Sequence, residues 1–203
     1  MIRLEQCPQI EPDILAKLER YPVASRPKRW EGKAKAVVQF KSEILIKGLV
    51  IQSNKCAWCT LPVGQEGRRT AHRDHIAPKA KYPQWTFLPM NLVIACEYCN
   101  GFAVKGEADT VSVVTDIYED CGFHLVHPYL DEPSNHLCFI FEGDGASVTI
   151  RSLSDKGGWT IEKLKLDTPG ATMERAKEHL YQQRLSTLPQ QQRDLFRNAL
   201  FAL

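Results

Sequence analysis

Residues 70–106 read TAHRDHIAPKAKYPQWTFLPMNLVIACEYCNGFAVKG, and a shorter stretch upstream, CAWC at 56–59, supplies the partner without which they cannot be interpreted. Each stretch holds a Cys-x-x-Cys pair, Cys56 with Cys59 and Cys96 with Cys99, and 36 residues separate the pairs. Four thiolates at tetrahedral geometry suit Zn²⁺ and leave no position open for water, so the spacing predicts a structural zinc site clamping an insert. Four buried free cysteines packing as small hydrophobes are the plainer alternative. A redox pair is the weaker one, because neither pair sits in a βαβ pattern. The chain has seven cysteines, an odd number, with Cys7, Cys121 and Cys138 scattered, which speaks against a disulfide framework.

The enclosed residues carry a second kind of chemistry. Phosphodiester hydrolysis needs an activated water and a cation to neutralise charge on the phosphate. An imidazole titrating near neutrality can take the water's proton, a role that falls to His75. A carboxylate and an amide oxygen are hard ligands for Mg²⁺ or Mn²⁺, and Asp74 and Asn100 supply them. Neighbours on a strand point to opposite sides, so Asp74 and His75 serve one site only where the strand ends, and Pro78 is consistent with such an end. His72 shares the Asp74 face of that strand, where it could be a metal ligand or phosphate contact, and reads more simply as an ordinary polar residue.

Asp74, His75, Ile76 and Pro78, then Asn91 and Leu92, then Cys96, Cys99 and Asn100 resemble the HNH endonucleases of the ββα-metal (His-Me finger) group, in the variant that carries two cysteine pairs. The resemblance implies that Asp74 and Asn100 hold a catalytic Mg²⁺ or Mn²⁺, that His75 is the general base, and that Asn91 braces the loop presenting it. It also implies a strand over about 70–76, a loop, a strand over 92–95 and a helix carrying Asn100. Lys105 departs from the family pattern, in which a lysine follows Cys-Asn after two residues, and this speaks against a phosphate-binding role for it.

Charge is unevenly distributed. Residues 1–106 hold 17 Lys and Arg against 9 Asp and Glu, and residues 107–203 hold 9 against 15, so a net +2 divides into +8 and −6. Nucleic acid, expected to be DNA, is the usual anionic partner of such a basic half. Arg68, Arg69, Arg73, Lys79 and Lys81 are the candidate backbone contacts. Arg26 to Trp30 (RPKRW) is either a further contact or a solvated linker, and Trp85 and Phe87 read as core.

Outside the clamp, apolar spacing predicts helices over about 10–21 and from Trp30 to Ile51, strands over 111–118 and 147–153 with a turn at 142–145, and a helical end from about Thr168 broken at Leu188-Pro189. The expected architecture is α+β, a ββα-metal core with a four-cysteine zinc site enclosed by N- and C-terminal helices, divided as a helical segment 1–50, a nuclease core 51–106 and a C-terminal region 107–203 suited to partner docking. His127, Asp131 and His136 fit no standard metal spacing and read as structural. Their segment, HPYLDEPSNH, together with TIEKLKLD, resembles the HNH proteins of the Septu and retron-linked anti-phage systems, which implies an ABC/SMC-like ATPase partner. No apolar run is long enough for a bilayer and no signal peptide stands at the start, so a cytoplasmic protein without membrane association is expected. The function expected is metal-dependent endonucleolytic cleavage, with a zinc-dependent binding or adaptor module lacking catalysis as the alternative.

Overall fold

A computed structural model describes residues 1, 3–66, 69–140 and 148–201. Pro12 opens α1 (Pro12–Glu19) where a missing N–H is harmless, and Ile14 and Leu18 are its buried residues. The helix expected from about Trp30 to Ile51 begins at Lys35 as α3 (Lys35–Ile51), and a single turn, α2 (Arg26–Trp30), precedes it. Gly32 donates to the Arg29 carbonyl and closes a turn between them. Trp30 is thereby buried against Phe40 and Phe87, so RPKRW is a helical turn rather than a linker, with Lys28 and Arg29 exposed on it. Arg26 directs its guanidinium to the carbonyls of Glu19, Tyr21 and Gln84.

The centre of the molecule is an antiparallel hairpin, β1 (Ala71–His75) and β2 (Leu92–Cys96), with Asp74 opposite Val93 and His75 opposite Leu92. Every residue of β2 is buried. Helix α3 lies directly on it: a Cβ at Gly48 would come within 2.8 Å of the Ile94 side chain, so only glycine permits that approach. The outer edge of β2 is closed by the Gln52 amide, which donates to the Ile94 carbonyl at 2.8 Å and accepts from the Ile94 N–H at 2.7 Å. The side chain thus satisfies the Ile94 N–H and shares the Ile94 carbonyl with Ala57 N–H.

The helix expected to carry Asn100 is absent. Residues 97–107 form successive turns, so the β-β half of the expected core is present and its helical third is not. The cause is local: Gly106 sits at φ +50° and donates to the Gly101 carbonyl, while Lys105 N–H reaches the Cys99 carbonyl, curling the segment back on itself.

Two smaller hairpins follow, β3 (Val111–Val113) with β4 (Gly122–Phe123) and β5 (Leu137–Ile140) with β6 (Thr149–Ser152). The strand expected over 111–118 therefore stops at Val113, and the expected turn at 142–145 lies outside the described residues. Helix α4 (Asp155–Leu164) was not anticipated, because Gly157-Gly158 weakens helical propensity; the Ser154 side chain caps it by accepting from Gly157 N–H. Helices α5 (Pro169–Thr187) and α6 (Gln190–Phe201) break at Leu188-Pro189 as expected. Among its described side chains α5 does not enclose the core. Arg175 is the buried residue of α5, and Met173, Leu180, Tyr181 and Leu195 are exposed. The fold class is α+β, and one buried cluster runs from Leu4 through the hairpin to Leu166. Among the described residues no helix is long and apolar enough to cross a membrane.

Candidate functional site

The turn after α3 delivers Cys56 and Cys59, and the end of β2 delivers Cys96 and Cys99. The four sulfurs lie within 4.8 Å of one another, all four residues are buried, and Cys59 Sγ is 3.8 Å from Cys96 Sγ. Tetrahedral Zn–S bonds of about 2.3 Å place sulfurs about 3.8 Å apart. Cys99 N–H points at Cys96 Sγ, as expected where a thiolate accepts from the backbone. Burial pushes the Cys56 thiol up, hydrogen bonding from Cys56 and the other sulfurs pushes Cys99 up, and the same contacts hold Cys96 down, so the quartet without a cation does not carry four charges. The donor set fits a bound metal such as zinc. Among the described residues it is the one group of three or more His, Cys, Asp or Glu side chains arranged to hold a metal ion.

The knuckle also shapes the face of β1 that carries Asp74. Trp58, between the first two cysteines, donates its indole N–H to Asp74 Oδ2 at 2.7 Å. Lys105 Nζ donates to Asp74 Oδ1 at 2.8 Å and to the His75 carbonyl at 2.6 Å. Asp74 and Lys105 are each 2% exposed. Both carboxylate oxygens are therefore engaged, one of them by a cation, and in this arrangement Asp74 does not fit a resident Mg²⁺ or Mn²⁺. The Asn100 side chain lies against His72 instead, with Nδ2 3.3 Å from His72 Nδ1.

His75, on the opposite face, packs its ring 4.4 Å from that of Trp30 and places Nε2 3.0 Å from the Thr86 carbonyl. A carbonyl only accepts, so Nε2 carries the proton and Nδ1 the lone pair. Burial pushes the His75 pKa down to about 3, with Lys79 and Lys105 adding to the effect and the Thr86 carbonyl opposing it. The imidazole is neutral at physiological pH.

Asn91 ties down the loop between the strands. Its Nδ2 donates to the Ala77 and Trp85 carbonyls at 3.1 Å each, and its Oδ1 accepts from Ala77 N–H at 2.7 Å and from Tyr118 O–H at 2.9 Å. Because the single Tyr118 proton goes to Asn91, His127 Nε2–H donates to the Tyr118 oxygen at 3.0 Å, and His127 Nδ1 accepts from Tyr129 N–H. A hydrogen-bonded chain thus joins His127 to the loop that follows His75. Sequence reasoning missed Trp58, Tyr118 and this use of His127, since no spacing connects them. Asp131 accepts from His127 N–H and from Lys156, and with His136 it completes a structural cluster rather than a metal site.

The candidate backbone contacts have internal partners. Lys79 pairs with Glu31, Lys81 with Asp109 and Arg69 with Glu174, and Arg73 donates to the Lys41 carbonyl. Arg68 lies outside the described residues. Trp85 and Phe87 are buried, as expected. Two aromatics beside Asn100 face water: Tyr98 is 49% and Phe102 92% exposed.

No family model matches the chain. Over 127 residues it is 29% identical to the Septu protein PtuB of Bacillus thuringiensis, an alignment covering 63% of this chain and 42% of that protein. Over 84 residues it is 34% identical to Protein ea31 of Escherichia phage lambda, covering 41% of this chain and 24% of that protein. The chain thus spans less than half the length of the curated relatives it matches.

Proposed function

We propose that this protein hydrolyses phosphodiester bonds in nucleic acid, with DNA as the expected substrate, in the manner of the HNH endonucleases its sequence resembles. One observation carries the reading: His75 ends a strand clamped between two cysteine pairs, its tautomer is set by the Thr86 carbonyl, and Asn91 holds the following loop through four hydrogen bonds. In that setting His75 Nδ1 is the proton acceptor for an attacking water. A divalent cation on the phosphate would supply neutralisation of developing charge. Exposed Tyr98 and Phe102 offer faces on which bases can stack. A role as effector of an anti-phage system, beside an ABC/SMC-like ATPase, rests on the resemblance to the Septu group and the 29% identity to PtuB.

The second reading, a zinc-stabilised binding or adaptor module without catalysis, is favoured by the Asp74–Lys105 pair, which occupies the carboxylate that the family uses for metal. Plasmid cleavage by the zinc-loaded protein, tested with each divalent cation, separates the two. The hydrolytic reading expects cleavage that His75→Ala removes while zinc content is retained. Absence of cleavage with every cation, alone and with the native host's copurifying partner, leaves the binding module.

A further inference from the structure

Within residues 22–35 Trp30 is buried and every other side chain is exposed or half-buried. It ends α2, a single turn without a side-chain cap, and exposed residues 31–34 join that turn to α3. The indole stands edge-on to the His75 imidazole, with 4.4 Å between ring centres. With Nε2 given to the Thr86 carbonyl and the indole packed on the ring, His75 is 7% exposed. A water molecule and a phosphodiester therefore cannot both reach this imidazole while Trp30 is in place.

The turn is held down by cations. Lys41 Nζ donates to the Trp30 carbonyl at 3.2 Å and lies 5.2 Å from the centre of its ring, and Lys79 pairs with Glu31 at 3.3 Å. Arg26 donates to the Gln84 carbonyl at 3.1 Å. The outer side of the same stretch carries Lys28, Arg29, Lys33 and Lys35, all exposed and none paired with a carboxylate among the described residues.

We infer that α2 and residues 31–34 form a lid closed over His75, and that the phosphate backbone of nucleic acid lifts it. Docking on Lys28, Arg29, Lys33 and Lys35 gives affinity without reading sequence. It also brings phosphates to Lys41 and Lys79, both half-buried, which exchange the Trp30 carbonyl and Glu31 for the anion. Those two phosphate contacts exist only with the lid raised, and a ligand shifts an equilibrium only by what it binds differently in the two states. A lid of this kind exposes the reacting groups when substrate is already bound. The inference rests on the hydrolytic reading for what the uncovered His75 then does.

The test is the rate at which diethyl pyrocarbonate modifies His75, read by peptide mass spectrometry on the zinc-loaded full chain without added divalent cation, with and without a DNA duplex. Plasmid cleavage is assayed separately. In the free protein His75 is expected to react at least about tenfold more slowly than exposed His124, since only the minor open state reacts. Duplex should raise the His75 rate about tenfold, and high salt should abolish the rise. Trp30→Ala should react fast without duplex, as should Lys41→Met, which cuts a tether and leaves the packing of Trp30 alone. Lys28→Glu with Arg29→Glu should lose the response to duplex. Unchanged zinc content and an unreactive buried His127 certify folding. A free protein in which His75 reacts as fast as His124, or a His75 rate that no duplex concentration raises, overturns the lid. Opening as described without cleavage under any divalent cation overturns the hydrolytic reading alone, whereas cleavage with a His75 rate indifferent to duplex overturns the lid alone.

Discussion

Lys105 Nζ and Asp74 Oδ1 are 2.8 Å apart in a pair whose side chains are 2% and 3% exposed, and the same ammonium holds the His75 carbonyl. Removing one partner leaves a buried charge without compensation, which costs about 3–5 kcal/mol. Lys105→Ala is therefore expected to lower stability by about that amount, and Lys105→Met combined with Asp74→Asn to recover most of it. Urea melts of the three proteins check this; equal losses in the single and paired variants would sink the argument.

Metal removal should unfold the hairpin rather than merely loosen it. The cysteine quartet joins the turn after α3 to the end of β2, and structural zinc sites contribute folding free energy directly. Chelation is expected to release one Zn²⁺ per chain together with a cooperative loss of ellipticity, and Cys99→Ser to purify with depleted zinc. A chelated protein that keeps its native melting transition contradicts the assignment.

Asn91 is fully buried and makes four hydrogen bonds, one of them from Tyr118. Asn91→Ala strands several of their partners, at about 1–3 kcal/mol for each buried group left unsatisfied, whereas Tyr118→Phe removes a single link and should cost about 1 kcal/mol. A double-mutant cycle on the pair is expected to show coupling, and additive effects would deny the contact.

Stability should fall in mild acid. Burial pushes His75 and His127 down to about 3. The unfolded chain takes up protons at both as pH drops through about 6.5, and the folded chain does not, so the unfolded state gains about 1.4 kcal/mol per pH unit from each imidazole. The loss begins below about pH 6.5 and ends near pH 3. Denaturation midpoints measured across that interval should decline steadily; a flat profile excludes buried neutral imidazoles.

Phe102 is 92% exposed, which leaves its ring faces open to water. Under the nucleic-acid reading, Phe102→Ala should weaken single-strand binding by about tenfold, the value of one base stacked on an aromatic ring, without altering the salt dependence. Fluorescence anisotropy with a labelled oligonucleotide at several salt concentrations reads both quantities.

Local features were legible because spacing encodes them. The cysteine quartet follows from two Cys-x-x-Cys pairs and the C-terminal break from Leu188-Pro189, whereas the two strands of the hairpin were implied by the family resemblance. The helix expected at Asn100 failed because a family pattern was extended across two extra residues, and Gly106 turned the chain instead. The interruption before α3 and helix α4 were missed where glycines sent contrary local signals.

By itself the sequence determined the four-cysteine donor set, which depends on residue type and short-range order, and through its family resemblance it pointed to the strand that bears Asp74 and His75 and to the loop brace at Asn91. Only the tertiary structure decided the state of those groups. It brought Lys105 to Asp74 across 31 positions, turned Asn100 to His72 across 28, and buried His75 beneath Trp30. The reason is physical: hydrogen-bond partners, desolvation and proton position follow from which segments meet in the core, and that is a property of packing, which no spacing along the chain records.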